Sequence, residues 1–276
     1  MNIATRQTDT IIVGFDSAWT DAPKAPGAIC AIAFDRNCAL TFIPPQLASF
    51  AQALEFIKVN RQGYSLCLVA IDQPTIVANA AGSRPVERVA ASLISFMGGG
   101  VQPANTSKLG MFCERSPIWK FKQALSAQEE PDTSRSAQDG LFLIEVFPAL
   151  ALAALNDCFA QRLRGPKYNP ANRRRFRIED WQAVAQAVAE AAHGLGVHEL
   201  CDWATEMSRK TAPRKADQDL LDSAICSLVG LIWRSCDRSM SAIIGDLSTG
   251  YMIAPVSAQT HLRLSLAAVK RGVPFA

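Results

Sequence analysis

Hydrophobic positions along the chain fall first into short runs and later into rows spaced three and four apart. TIIVGFDSAW, GAICAIAFD and CALTFIPP are apolar or alternating stretches separated by Pro, Gly, Asp and Asn, the pattern of an antiparallel three-stranded meander. Gln46 to Asn60 then carries Leu47, Phe50, Leu54 and Ile57 at a helical period. LCLVAIDQP and FLIEVFP are near-continuous apolar runs, each stopped by proline, as expected of strands buried on both faces. Helices are predicted from Val86 to Phe96, in the Ala/Leu-rich stretch after FLIEVFP, over Trp181, Val184, Ala185, Val188 and Ala192, and from Asp217 to Arg234. Gly98 to about Gly140 shows no clear period, and its part from Ser126 reads as an exposed, mobile loop. AIIGDLSTGYMIAP closes the pattern as a hairpin turning at its D-L-S-T-G centre.

This order predicts an α/β fold. A five-stranded mixed sheet would form from the meander plus two parallel strands, with helices on both faces. Inserted helices over about 149–215 and the C-terminal hairpin would complete a single domain spanning 1–276. Composition agrees: 49% hydrophobic residues and a net charge of +3 exclude a disordered or fibrous chain. No apolar run approaches the roughly 20 residues that span a bilayer; the longest, Ala224 to Trp233, is bounded by Asp222 and Arg234. With a polar start, MNIATRQTDT, the expectation is a soluble, non-secreted, cytoplasmic protein without a membrane partner. The eight cysteines include no C-x-x-C pair and the three histidines no metal-binding spacing, so reduced thiols are expected and zinc is not.

Charge is distributed unevenly. Between Arg162 and Arg177 there are seven basic residues and no acidic one, and without them the chain would be net acidic. Lys167, Arg173, Arg174, Arg175 and Arg177, interleaved with Tyr168 and Phe176, could combine phosphate contact with base stacking. A solvated loop with local ion pairs is the alternative.

Four places put carboxylates where buried elements would avoid them. Asp16 ends the first strand, Asp72 ends LCLVAID, Glu145 sits in FLIEVFP, and Asp219 and Asp222 share a face of the last long helix. Taken singly, each has a plainer explanation in turn chemistry, an edge-strand charge or a helix dipole. Jointly, with the first strand central and parallel to the other two, they would meet at the carboxyl edge of the sheet, where open α/β sheets place their sites. Two carboxylates about 4 Å apart repel by roughly 4 kcal/mol at an effective dielectric near 20. Such a set takes up protons or binds a hard cation, Mg²⁺ or Mn²⁺. Two such ions, about 3.5–4 Å apart, can drive phosphodiester hydrolysis.

In their order, GFDSAW, VAIDQP, GSRPVER, IEVFP, KYNP and KADQDLLDSAICSLVG resemble the family called domain of unknown function 429, described as predicted ribonuclease H-like nucleases. The likeness runs from about Ile11 to Pro255. It implies a ribonuclease H-like fold with the first strand central, and a divalent-metal-dependent hydrolase of nucleic acid. It further implies Asp16 and Asp72 as strand-borne metal ligands, and Asp219 and Asp222 as a helix pair similar to that of Holliday-junction resolvases. There the strand equivalent to VAIDQP ends in Glu, so Asp72 is one methylene shorter. Glu145 fits the family pattern as a further catalytic acid, and Arg84 and Arg88 are candidates for phosphate contact. Two other functions share the fold: an inactive nucleic-acid-binding module, and ATP phosphotransfer of the actin-like or sugar-kinase type. The last needs a Gly-rich phosphate turn, whereas Asp16-Ser17-Ala18-Trp19 has none, no P-loop occurs, and Gly98-Gly99-Gly100 reads as a flexible loop.

Overall fold

In the computed structural model, which describes residues 9–24, 26–35 and 39–276, the unbroken apolar runs become the interior strands. Strands β1 (Thr10–Asp16) and β2 (Gly27–Phe34) are buried along their whole length. β3 (Leu40–Ala48) forms one edge, and its Pro44 and Pro45 fit there because an edge strand can forgo ladder donors. With β4 (Leu66–Asp72) and β5 (Gly140–Glu145) the order is β3-β2-β1-β4-β5. The meander is antiparallel and β1, β4 and β5 run parallel, with β1 central as expected.

Helix α1 (Phe50–Asn60) starts four residues later than its apolar spacing predicts, because Gln46 to Ala48 continue β3. The start is fixed by a capping box: Ser49 Oγ accepts from the Gln52 amide and the Gln52 side chain accepts from the Ser49 amide. Together with α3 (Pro117–Leu125), α1 covers one face of the sheet around Phe15, Phe50 and Phe121. The other face receives α8 (Lys215–Ser235), behind which stand α5 (Pro148–Leu155), α6 (Ile178–Gly194) and α7 (His198–Ser208). From Gln218 onward α8 is buried almost throughout, as a helix sandwiched between two layers must be. Its seat on β1 is Gly14: a Cβ there would lie 2.1 Å from the Ser223 carbonyl oxygen and 2.4 Å from the Ser227 nitrogen.

Two sequence expectations need correction. The segment from Ser126 to Gly140 is no mobile loop. It contains α4 (Pro131–Ser136), and Arg135 donates to the carbonyls of Trp233 and Cys236, which end α8 with open acceptors. The hairpin of β6 (Ser241–Asp246) and β7 (Gly250–Pro255) forms at the expected turn but does not close the chain. Helix α9 (Ala258–Arg271) follows, capped by Ser257 and stopped at Gly272, where φ is +61°. It packs with α2 (Pro85–Ile94) and the hairpin in a third apolar cluster. The stretch after Gly98, which showed no clear period, is irregular at first and then holds α3 as well as α4.

Of the seven described cysteines Cys30, Cys67, Cys226 and Cys236 are buried, and Cys38 lies outside the described residues. Among the described residues no helix is long and apolar enough to cross a membrane.

Candidate functional site

Parallel pairing places Asp16 of β1 directly opposite Asp72 of β4. Side chains alternate along a strand, so Asp16 follows Ile12 and Gly14 on the face that meets α8, and Asp72 follows Leu68 and Ala70 there. Because α8 rests on Gly14, its first turns stand above the strand ends, and Asp219 and Asp222, both buried, face the same place. A cavity of about 540 Å³ is lined by Asp16, Asp72, Asp219 and Asp222, with Lys215 and Gln218 beside them. Acids far apart in the chain therefore do converge.

Their surroundings differ. Asp222 accepts from the Tyr168 hydroxyl at 2.7 Å and from Gln218 Nε2 at 2.9 Å, which fixes both of its oxygens. Asp219 pairs with Lys215 one turn earlier. The carboxylates of Asp16 and Asp72 accept no hydrogen bond from the described residues. Around them the strand ends are tied together instead, Trp19 Nε1 donating to the Asp72 carbonyl at 3.2 Å and Ser17 Oγ to the Gln73 side chain.

Electrostatics follows from this geometry. Burial pushes the Asp16 carboxyl well above the usual carboxylate range, and the charges of Asp222 and Asp72 push it further. Asp72 is raised in the same way, by burial and then by Asp222 and Glu145. Burial raises Asp222 to about 6, although Lys215, Tyr168 and Gln218 each pull it down. Lys215 loses by burial but gains more from Asp16 and Asp219, so its ammonium is held. One lysine among four aspartates leaves a deficit of positive charge that protons or a cation must meet.

The donor set is all oxygen and suits a hard divalent ion in charge and chemistry. Its present spacing does not form a finished centre: among the described residues no three His, Cys, Asp or Glu side chains are gathered closely enough to hold one ion.

Glu145 and Arg84 are placed otherwise than expected. Glu145 pairs in register with Ile71, not Asp72. It therefore belongs to the opposite row of β5 from Ile144 and Val146, which face α8. There Arg84 meets it, with Nη2 to Oε1 at 2.6 Å and Nη1 to Oε2 at 2.9 Å, and the Thr75 amide donates to the same Oε2. Arg84 Nε also donates to Glu87 at 2.8 Å, and both Arg84 and Glu145 are fully buried. Arg84 is thus a core residue and not a phosphate contact, and Glu145 is already neutralised although it reaches the cavity wall. Arg88 is exposed on α2.

In the basic run, Arg173, Arg174, Arg175 and Arg177 are exposed, while Lys167 is turned inward, its Nζ on the Gly98 carbonyl at 2.6 Å. Tyr168 is buried against Asp222 and offers no face for stacking; Phe176 is half-buried against the core. Asn169, in the middle of the run, lines the cavity, and the four exposed arginines follow it in sequence. Sequence reading passed over Lys215 and Gln218. Their signal was present in KADQDLLD, where each stands four residues before an aspartate and so on the same helix face.

A family model described as "Protein of unknown function (DUF429)" matches residues 14–246. No curated protein and no solved structure matches the chain.

Proposed function

We propose, for a chain that belongs to the DUF429 family, that the carboxylate cavity is the active site of a phosphodiesterase that hydrolyses nucleic acid with Mg²⁺ or Mn²⁺. The observation that carries this reading is the convergence of Asp16, Asp72 and Asp222 in one cavity where burial raises all three carboxyls and neighbouring acids raise them further. A site kept this acidic is tolerable when a cation replaces the protons.

In this reading Asp16 and Asp72 hold the cation between the strand ends, and Asp222 supports it from α8. Tyr168 and Gln218 orient Asp222. Lys215, half-exposed at the cavity mouth, holds Asp219 and presents positive charge to an entering phosphate. The exposed arginines of the 173–177 run contact the strand's phosphates beyond the site, a sequence-independent and salt-sensitive attraction. The bound ion would supply Lewis-acid activation of water and of the phosphoryl oxygens.

The test is Asp16→Asn. We expect the variant to keep its circular dichroism and to lose divalent-dependent cleavage across a panel of single-stranded, duplex and branched DNA and RNA by at least about 100-fold. Unchanged turnover overturns the assignment. In parallel, Mn²⁺ at 100 times its dissociation constant should stabilise the wild-type protein by about 2.7 kcal/mol. An unmoved melting temperature would leave the cavity to a nucleic-acid-binding module without metal chemistry.

A further inference from the structure

The cavity has a second half that the carboxylates do not explain. Besides the acids, its lining includes Trp19, Val101, Met111, Phe147 and Met252. Trp19 is held in place: its Nε1 donates to the Asp72 carbonyl, and Phe112 meets the indole at a centroid distance of 5.2 Å and an interplanar angle of 63°. The ring is only partly buried and lines the open space. An aromatic platform is thereby anchored to the same residue that supplies a carboxylate.

A second observation points to the same ligand. Gln218, only 8% exposed, lines the cavity, and its Oε1 finds no hydrogen-bond donor among the described residues. Its Nε2 is committed to Asp222, so the free atom is an acceptor. A phosphodiester has no donor to offer it, whereas the nucleoside beside the phosphate carries base amines and sugar hydroxyls.

We propose that the apolar part of the lining binds one unpaired nucleobase, stacked on Trp19, with Gln218 swinging so that its Oε1, closed to solvent as folded, accepts from the same nucleoside. This rests on the phosphodiesterase reading above and narrows its substrate to strands that are single or locally opened at the site. At about 540 Å³ the cavity is on the scale of a small-ligand pocket. A base inside an intact duplex is already stacked on both faces and cannot present one to the indole without being extruded. Stacking of a base on an aromatic side chain is tolerant of base identity, so little sequence preference is expected.

Binding tests this without depending on turnover. In the Asp16→Asn protein with Mg²⁺, fluorescence anisotropy would compare a labelled single-stranded oligonucleotide, its fully paired duplex, and single strands with one abasic position moved stepwise along the chain. We expect the duplex to bind at least about tenfold more weakly than the single strand, and one abasic position to weaken binding about tenfold. Adding Trp19→Leu should produce the same loss and abolish the abasic effect, while Trp19→Phe restores affinity to within about threefold. Equal affinity for duplex and single strand, or abasic strands that all bind like the parent, overturns the base site even if Trp19→Leu fails to fold. Should Asp16-dependent cleavage be found alongside such base-insensitive binding, the phosphodiesterase reading stands and only this inference falls. If no oligonucleotide binds at all, both fall.

Discussion

Two groups of buried acids lie at the same edge of the sheet and are treated in opposite ways. Glu145 and Glu87 close on Arg84, whose guanidinium satisfies both, with the Thr75 amide and the Ile76 carbonyl completing the network. Among the described residues Asp16, Asp72 and Asp222 have, besides the neutral donors on Asp222, only the charge of the half-exposed Lys215. Burial and, more weakly, Glu129 raise Glu145 as well, but the adjoining Arg84 and the Thr75 amide oppose them at hydrogen-bond distance. Asp16 and Asp72, by contrast, are each raised by burial and by at least two other acids against the charge of Lys215. The first group is complete as folded and serves the core. The second stays short of positive charge as folded, and that difference, more than acidity itself, is why the proposed cation is placed there.

The sharpest way to break the comparison is to make the finished group resemble the unfinished one. Arg84→Met would leave Glu145 and Glu87 buried without a cation and should destabilise the protein by about 3–5 kcal/mol in urea unfolding. The double change Arg84→Met with Glu145→Met should recover much of that loss. A smaller effect of opposite sign is expected at the other group. The folded protein keeps the Asp16 proton to higher pH than the unfolded chain does, so its ionised carboxylate opposes folding. That penalty is absent below about pH 4 and develops as pH rises through the folded-state pKa. Without metal, Asp16→Asn should therefore stabilise the protein at pH 8 by about 1–3 kcal/mol, and the gain should vanish on acidification toward pH 4. Melting curves across pH would show it, and a loss of stability at pH 8 would contradict the charge deficit. The smallest effect belongs to Lys215→Met, which removes the cation that neighbours the aspartates among the described residues. Since that side chain is half-exposed, a loss of no more than about 1 kcal/mol at neutral pH is expected, shrinking with added salt.

Much of the sheet was legible because Ile11 to Phe15 and Leu66 to Ile71 show no polar interruption, and a strand buried on both faces has no other way to be written. Asp16 and Asp72 stood out as the first acids after such runs. Glu145 looked equivalent, yet one residue of register puts it in the other row of its strand, and register is set by pairing that a single chain does not announce. Arg84 and Arg88 sit four residues apart and are the same residue type. What buries the first and exposes the second is a carboxylate 61 positions further on. Tyr168 was read as a stacking ring for the same reason, its true partner Asp222 being 54 residues away. Helix α9 escaped because Leu262, Leu266 and Val269 point outward while Leu264, Ala267 and Ala268 face the core, which blurs the period. Trp19, by contrast, lies inside a quoted motif, and only the shape of the cavity gives it a possible task.

The bare backbone at Gly14 has a further bearing on all of this. It precedes Asp16 by two positions on one face of β1, and the atoms that would collide with a methyl group there belong to Ser223, next to Asp222, and to Ser227. The clearance between the acids of the strand and those of the helix is thus gauged by a side chain that does not exist. Residue 14 works as a spacer of zero thickness, and Gly14→Ala would open the gap from a distance without altering a single acidic group.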